Sequence, residues 1–469
     1  MNRASAVLLI LSLNIPSQAF PVIKNIKDVD RAADKLKAEI LSAASRYEVK
    51  GTTYFVSNDG DDSNDGLSEK TPFKSLNKVN GTSFKPGDVV LFRRGDLWRG
   101  QIRTRDGVTY SAYGKGEKPR LYGSPFDAAV TGEWIPADAP DVYVFSIKLT
   151  DDVGTLVFNH GADSCAYKVI KKLIYSGDTF HIETGEHFEN YYDLHRDLDF
   201  YHDPMTGNLY LCSTKGNPAA RFKSIELLTK GHCFRVYNNT EVTIDNFCIK
   251  YTGSHGIGAS NIGRLTVTNC EIGWIGGSIQ KENPAPSDPS KWSRPTRYGN
   301  GIEIWGGCDY YLVDHNYIYQ VYDAGMTHQW GGTYEANHLN VTYSNNLVER
   351  CVYALEYFLS PNKQTGECYL MKNILVKNNI LRMSGDYSWG YQRSNRDSPA
   401  VIKAWNNRGN RSENFHIRGN IIDRGNPCLL DVHAGKKEWM PECEGNIYIQ
   451  DKGVPVGSII EKDMQVIMQ

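Results

Sequence analysis

Asn300-Gly-Ile-Glu-Ile-Trp305 has a pattern of residue types that recurs along the chain and predicts a repetitive fold. The third place of the pattern is always aliphatic, and the fourth is mostly polar or charged. Successive side chains of a β-strand point to opposite faces, so a third place in a core directs the fourth and sixth places to the other face. The six segments are His255-Gly-Ile-Gly-Ala-Ser260, Asn300-Gly-Ile-Glu-Ile-Trp305, Ala324-Gly-Met-Thr-His-Gln329, Tyr353-Ala-Leu-Glu-Tyr-Phe358, Ala400-Val-Ile-Lys-Ala-Trp405 and Cys428-Leu-Leu-Asp-Val-His433.

The fourth places form one column if the segments stack as neighbouring strands. That column reads Gly258, Glu303, Thr327, Glu356, Lys403 and Asp431. The sixth places add large or polar side chains beside it, namely Trp305, Gln329, Phe358, Trp405 and His433. The pattern predicts a polar cleft, lined with aromatic residues, on a repetitive β scaffold.

A second repeat accompanies the first, because a β-rich stretch ending in asparagine precedes each segment. Two of these asparagines are 23 residues apart, which is typical of one unit of a solenoid. Asparagine tolerates the left-handed backbone conformation and bonds nearby backbone, so we expect a ladder of asparagines at a corner of the coil. The asparagines are Asn246, Asn269, Asn316, Asn346, Asn379 and Asn420.

The ends and interruptions of the repeat suggest five parts. Residues 1–19 have the basic start, short apolar run and small-residue exit of a secretory signal, so we expect an exported protein. Residues 20–50 hold a helical pattern, and 51–126 are expected to form a cap and the first coils. Residues 127–228 break the repeat and are expected to be an inserted β-rich module. Residues 229–469 are expected to form the main solenoid with the catalytic face.

Composition excludes some functions. A net charge of −2 gives no general basic balance for nucleic acid, and no segment is long and apolar enough to span a membrane. The ten cysteines are expected to be free and mostly buried, since none forms a metal-type pair. The run Asp59 to Asp65 has oxygen ligands suited to calcium, but turn formation is the favoured interpretation, so no cofactor is expected.

The chain also resembles right-handed parallel β-helix proteins of the pectate-lyase-like superfamily. The resemblance rests on Tyr54-Phe-Val-Ser-Asn-Asp-Gly-Asp-Asp-Ser-Asn-Asp-Gly-Leu-Ser-Glu-Lys-Thr-Pro-Phe73, which is similar to the cap of exported enzymes acting on polysaccharides, and on Leu91-Phe-Arg-Arg-Gly-Asp-Leu-Trp-Arg-Gly100. It implies an all-β right-handed solenoid with an N-terminal helical cap and carbohydrate as substrate. It does not choose a reaction, since the superfamily includes hydrolases, lyases, epimerases and esterases.

The charged column favours a glycoside hydrolase. Glu303 and Glu356 are separated by one coil, so their backbones should lie roughly 9 to 10 Å apart. That spacing suits an inverting mechanism. We expect Lys403 to pair with Glu356 and lower its pKa for the role of base, with Asp431 one coil beyond. Glu303, beside Trp305, is expected to have a raised pKa and to be the acid.

Two alternatives stay open. A polysaccharide lyase would use Lys403 as base and Arg393 to hold a uronate carboxylate. A non-catalytic carbohydrate-binding protein would use the aromatic residues alone. Among weaker candidates, Asp323 lies at the cleft edge or in a turn, and His328 faces inward as a core histidine. We expect a monomer with a polysaccharide or oligosaccharide as its partner.

Overall fold

The computed structural model describes residues 20, 22–45, 47–162, 164–174, 179–181, 184–283, 287–288, 291–293, 295–393, 398–406 and 408–469. The expected signal segment 1–19 lies outside the described residues.

The first part of the described chain forms two helices and the opening coils. Helix α1 (Ile26–Ser42) comes first, and a short helix α2 (Leu76–Gly81) lies between the first two strands. The strands are β1 (Thr53–Val56), β2 (Val89–Arg93), β3 (Leu97–Arg99), β4 (Ile102–Arg103), β5 (Thr109–Tyr113) and β6 (Arg120–Tyr122).

The segment 127–228 contains strands that pair outside the main sheet. Its strands are β7 (Trp134–Pro136), β8 (Val142–Phe145), β9 (Val153–Phe158), β10 (Tyr167–Lys168), β11 (Lys171–Ile174), β12 (Thr179–His181), β13 (Asp199–His202), β14 (Leu209–Cys212) and β15 (Ile225–Thr229), with helix α3 (Pro218–Arg221). Strands β10, β13, β14, β8 and β7 form one sheet in that order, and β9 pairs with β15. We keep the name module for this segment, whose boundaries stay a prediction.

The rest of the chain is the main solenoid. Its strands are β16 (Phe234–Tyr237), β17 (Val242–Asp245), β18 (Cys248–Thr252), β19 (Ile257–Ile262), β20 (Leu265–Thr268), β21 (Glu271–Ile275), β22 (Ile279–Lys281), β23 (Trp292–Ser293), β24 (Thr296–Arg297), β25 (Ile302–Asp314), β26 (Tyr317–Trp330), β27 (His338–Ser344), β28 (Leu347–Leu359), β29 (Met371–Lys377), β30 (Ile380–Gly385), β31 (Ala400–Ala404), β32 (Ser412–Arg418), β33 (Ile421–Asn426), β34 (Leu430–Asp431), β35 (Glu442–Glu444), β36 (Ile447–Gln450) and β37 (Val466–Met468). Short 3-10 helices lie at Asn159–Gly161, Tyr191–Asp193, Trp389–Gln392 and Lys437–Trp439.

Each coil contributes to three parallel sheets, which is the architecture of a right-handed parallel β-helix. The cleft sheet contains β4, β16, β19, the start of β25, the ends of β26 and β28, then β31 and β34. The second sheet includes β17, β20, the end of β25, β27, β29, β32 and β35. The third includes β18, β21, the starts of β26 and β28, then β30, β33, β36 and β37.

The predicted register of the cleft sheet is confirmed. Glu303 pairs with Gly258 on one side and Thr327 on the other, and Thr327 pairs with Glu356. Glu356 then pairs with Lys403, and Lys403 with Asp431. The third places all lie buried in the core of the solenoid: Ile257, Ile302, Met326, Leu355, Ile402 and Leu430.

An asparagine ladder runs along one inner corner, with one change from the prediction. Asn316, Asn346, Asn379 and Asn420 are fully buried, and each donates its amide N–H to the next member at 2.9 to 3.1 Å. Asn446 receives the last of these bonds.

Asn246 and Asn269 are not members of this ladder. They take the position before it, where the backbone is left-handed with φ of 67° and 53°. Phe247 and Cys270 follow them, and Cys270 donates its backbone N–H to Asn316 Oδ1. Asparagine therefore occupies two adjacent positions of the corner. At the first it tolerates the left-handed backbone conformation, and at the second its side-chain amide makes the hydrogen bonds of the ladder.

The expected N-terminal helix is present and lies on the outer face of the third sheet. Its apolar stripe, including Val29 and Ile40, packs on Leu347, Ile380 and Ile421. Residues around α2, namely Phe73, Leu76, Val79 and Phe84, join the main core of the solenoid.

Candidate active site

A cavity of about 710 Å³ lies on the outer face of the cleft sheet. The cleft sheet forms the floor of this cavity. The walls come from residues between 232 and 260, from β24 and from the chain around Asp323. Seven of the ten site residues predicted from the sequence line it, namely Glu303, Trp305, Gln329, Glu356, Phe358, Arg393 and Trp405. The cleft predicted from the two columns is therefore present as a cavity.

Glu303 is held by three hydrogen-bond donors. Asn300 Nδ2 donates to Oε2 at 3.0 Å, Gln329 Nε2 donates to Oε1 at 3.1 Å, and His255 Nε2 contacts Oε2. Burial opposes ionisation of this carboxyl, but His255 and the amide donors outweigh it and lower the pKa of Glu303. Glu303 is therefore an ionised carboxylate at neutral pH.

His255 has its tautomer set by the backbone. Its Nδ1 accepts the N–H of Asn300 at 2.9 Å, so the proton of the neutral ring lies on Nε2, which faces Glu303. The ring is stacked between His232 and Tyr298, with centroids 5.0 and 5.3 Å away. Burial, and then His255, lower the pKa of His232 to about 3, so His232 is neutral.

Glu356 has the opposite environment. It is 5% exposed, and Trp405 Nε1–H donates to its Oε1 at 2.6 Å. Burial, followed by the charge of Asp323, raises the pKa of Glu356 to about 8. This carboxyl is therefore largely protonated at neutral pH.

Asp323 and Arg393 form a buried ion pair in the same cavity. Arg393 Nη1 contacts Asp323 Oδ1, and both side chains are about nine-tenths buried. Burial raises the pKa of Asp323 even though Arg393 acts to lower it. The guanidinium of Arg393, predicted to clamp a substrate carboxylate, is thus held by a carboxylate of the protein itself.

The aromatic side chains of the sixth places line the cavity as predicted. Trp305 is 39% exposed and contacts Phe358 edge-on, with centroids 6.2 Å apart. Arg408 lies over the Phe358 ring at 5.0 Å and donates to Ser360 Oγ. Trp305 therefore presents an open apolar surface next to the carboxylates.

Lys403, Asp431 and His433 lie in the predicted column but are not among the described residues of the cavity wall. Lys403 Nζ contacts Asp431 Oδ2, and Asp431 Oδ1 contacts His433 Nε2 at 2.6 Å. The expected pairing of Lys403 with Glu356 is therefore wrong, because Asp431 on the next coil neutralises the lysine. A catalytic or binding role for these three residues stays a prediction.

The expected pKa directions of the two glutamates are also wrong. Glu303, beside Trp305, was expected to have a raised pKa, but His255, Gln329 and Asn300 supply donors, so its pKa falls. Glu356 was expected to pair with Lys403, which would lower its pKa. It is instead buried and close to the charge of Asp323, and both effects raise its pKa. The two roles exchange: the environment of Glu356 suits an acid and that of Glu303 a base.

Sequence reasoning missed His255 and Asn300 as site residues. Both occupy the first place of the template, and that place carries apolar or aromatic residues or cysteine in the other four segments. Two hydrogen-bonding residues at a mostly apolar place were a usable signal. His328, predicted to be a core histidine, is fully buried and its Nδ1 contacts the Tyr343 hydroxyl at 2.9 Å.

A metal site has no support within the described residues, where no group of three His, Cys, Asp or Glu side chains is placed to hold an ion. In the run Asp59 to Asp65, Asp62 Oδ1 accepts the backbone N–H groups of Lys74 and Ser75, both at 2.9 Å. Such bonds are what the turn interpretation predicts, and the expectation of no cofactor stays a prediction. All ten cysteines are free thiols.

The three parallel sheets and their register define a right-handed parallel β-helix protein with a cavity rich in carboxylates. No family model matches the chain. A curated lacto-N-biosidase of Bifidobacterium longum subsp. longum is 43% identical over 79 residues, which is 14% of this chain. The chain covers about 5% of the length of that relative.

Solved structures with a similar course of the chain are distant in sequence. A structure titled glycoside hydrolase has a TM-score of 0.45 at 7% identity, covering 89% of this chain and 96% of its own. A GH136 lacto-N-biosidase from Eubacterium ramulus has a TM-score of 0.39 at 14% identity, and the match covers 95% of this chain and 69% of that structure's chain. Pectate lyase Pel9A has a TM-score of 0.44 at 11% identity, and the match covers 89% of this chain and 74% of the lyase chain. In the described part of this chain, no helix is long and apolar enough to cross a membrane.

Proposed function

We propose that the protein is an exported glycoside hydrolase that cleaves a polysaccharide or oligosaccharide in this cavity. The observation that carries the proposal is the pair Glu303 and Glu356. The two carboxyl groups line one cavity, and their surroundings drive their pKa values apart. Carboxyl pairs separated in this way are the arrangement that acid–base cleavage of a glycosidic bond requires.

In the proposed reaction Glu356 is the acid and Glu303 the base. Glu356 gives its proton to the glycosidic oxygen as the bond from that oxygen to the anomeric carbon breaks. Glu303 takes a proton from a water molecule, whose oxygen forms the new bond to the anomeric carbon. The two strand positions are two coils apart, roughly 9 to 10 Å on ordinary strand spacing, which favours inversion of configuration.

Hydrolysis is favoured over elimination because the two cationic side chains that a lyase would use are already in ion pairs. A lyase needs a base and a cation that meets a uronate carboxylate, and the sequence offers Lys403 and Arg393 for these tasks. Each of them is paired with a carboxylate of the protein, Asp431 and Asp323 respectively. The 79-residue similarity to a lacto-N-biosidase also supports a glycosidase. We further propose that the enzyme works as a monomer without a cofactor.

A substrate screen tests this function. Purified protein is incubated with a panel of polysaccharides and oligosaccharides, and both new reducing ends and the ultraviolet absorbance of unsaturated uronates are read. New reducing ends without unsaturated products, abolished in Glu356→Gln and retained in the exposed control Glu335→Gln, support hydrolysis. Unsaturated products that disappear in Lys403→Met indicate a lyase. Saturable glycan binding without any product indicates a carbohydrate-binding protein.

A further inference from the structure

The segment that carries Arg393 is fastened to the wall of the solenoid by its own backbone and by Trp389. The 3-10 helix Trp389–Gln392 comes immediately before Arg393, and Trp389 Nε1 donates to the carbonyl of Gln320 at 2.9 Å. Gly390 packs so closely that a Cβ there would lie 2.3 Å from Val352 Cγ2. These contacts hold the start of the segment, and Gln392 and Arg393 follow at its end, where the Arg393 backbone N–H donates to the carbonyl of Gly390 at 2.9 Å.

Gln392 joins the end of this segment to the module. Its Oε1 accepts the backbone N–H of Lys168 at 3.2 Å, and its Nε2 donates to the carbonyl of Ala166 at 3.0 Å. The side chain is 1% exposed, so both bonds are sheltered from water. A buried amide that satisfies two backbone groups of another strand fixes the distance and direction between the two elements.

The strand that receives Gln392 is anchored in turn to the solenoid. Lys168 Nζ donates to Asp152 Oδ1 at 2.6 Å, and Asp152 Oδ2 accepts the backbone N–H of Ile279 at 2.5 Å. Lys168 is 2% exposed, so this ion pair is buried where the module meets the coil before the cavity. The module therefore contacts the solenoid side of the chain at both Ile279 and Gln392.

We infer that Gln392 is a positioning residue: by joining strand β10 of the module to the chain before Arg393, it holds the guanidinium of Arg393 against Asp323. Arg393 is adjacent to Gln392 in the chain and pairs with Asp323. The charge of Asp323 in turn acts on Glu356, which lines the same cavity. A small rotation at residue 392 would separate the ion pair and change the charge that Glu356 experiences. The module thus contributes to the site without lining the catalytic carboxyls.

Chemical labelling of arginine tests this inference without any substrate. Phenylglyoxal reacts with accessible guanidinium groups, and mass spectrometry reports the rate at each arginine. Gln392→Leu removes both amide bonds at similar size, and the matched control Gln364→Leu changes an exposed loop glutamine. We expect labelling of Arg393 to be at least about ten-fold faster in Gln392→Leu and unchanged in Gln364→Leu, since a buried paired guanidinium becomes accessible when its pair opens.

Arg221 provides the internal reference, because it pairs with Asp197 inside the module at 2.6 Å. Faster labelling of Arg393 with unchanged Arg221 supports the inference. Equal acceleration at both sites would show general loosening of the module, and unchanged labelling of Arg393 in the folded variant would show that Gln392 does not hold it. Either result overturns the inference. If Gln392→Leu does not fold, Gln392→Asn, whose amide is one methylene shorter, is measured by the same criteria.

A second arm of the test rests on the proposed function. Once a substrate is known, Gln392→Leu should lower kcat/KM by roughly 10- to 100-fold, because misplacing a positioned group by about 1 Å has effects of that size. If no glycan is cleaved, the labelling result still decides the positioning role. If cleavage occurs and labelling of Arg393 is unmoved, hydrolysis stands and the inference fails.

Discussion

Glu303 and Glu356 occupy the same place of the repeat two coils apart, yet their surroundings move their pKa values in opposite directions. Between them lies Thr327, fully buried and uncharged. The difference comes from what each carboxyl meets beyond its strand: donors from His255, Asn300 and Gln329 for Glu303, and burial with Asp323 for Glu356. One repeated strand position therefore holds both a carboxylate and a largely protonated carboxyl group.

Replacing Glu356 should remove the acid. Glu356→Gln keeps the size and the hydrogen bond from Trp405 but cannot give up a proton, so we expect kcat to fall by about 10²- to 10⁴-fold. Thermal melting should show an intact fold, and Glu335→Gln should leave kcat unchanged. Near-normal turnover by Glu356→Gln on the true substrate would refute the proposed acid.

The pH dependence of wild-type activity should end on the alkaline side near the pKa of Glu356. The acid must be protonated, and its pKa is raised to about 8, so activity is present below that pH and is lost as the pH rises through it. The measurement is kcat/KM across the pH range. Activity that still increases well above pH 8 would show that another group is the acid.

His255 should control the acidic side of the same profile. Glu303 must be ionised, and its pKa lies below the ordinary value of 4.5 partly because of His255. In His255→Ala that support is lost, the pKa of Glu303 rises, and the acidic limb of kcat/KM should move to higher pH. An acidic limb that stays in place, with only the maximum rate reduced, would contradict this assignment.

Replacing Trp305 should weaken substrate binding more than it lowers the stability of the fold. Its side chain is 39% exposed in the cavity, so Trp305→Ala should raise KM while the melting temperature changes little. Trp98, which is buried in the first coils, is the matched control. Its replacement by alanine should cost about 3 to 5 kcal/mol of unfolding free energy. A large loss of stability in Trp305→Ala with unchanged KM would make Trp305 a structural residue.

Asn346 should matter for stability and not for catalysis. It accepts from Asn316, donates to Asn379 and donates to the carbonyl of Val313, all in the buried corner. Asn346→Ala leaves several of these groups without partners, at about 1 to 3 kcal/mol each. We expect a loss of roughly 3 to 5 kcal/mol by chemical denaturation, and a change within about 0.5 kcal/mol in the outward-facing control Thr342→Ala.

The stacking of the cleft sheet could be predicted from the sequence pattern alone. Because side chains alternate strictly along a strand, an aliphatic third place sets the direction of every fourth and sixth place, and Glu303, Glu356 and Trp305 follow from that rule. The asparagine corner follows almost as well, except that Asn246 and Asn269 occupy the adjacent left-handed place. Periodic features are readable because each coil repeats the same local geometry.

The partners and protonation states of the column depend on packing that the strand pattern does not encode. Lys403 was one strand from Glu356 and one from Asp431, and the alternation rule could not choose between these partners. Arg393 meets Asp323 through an insertion that has no period, and His255 reaches Glu303 from the first place of the neighbouring segment, a place that is mostly apolar in the other segments. A pKa depends on burial and on charges a few ångströms away, so it is set by these particular neighbours and not by the alternation that places the carboxyl groups.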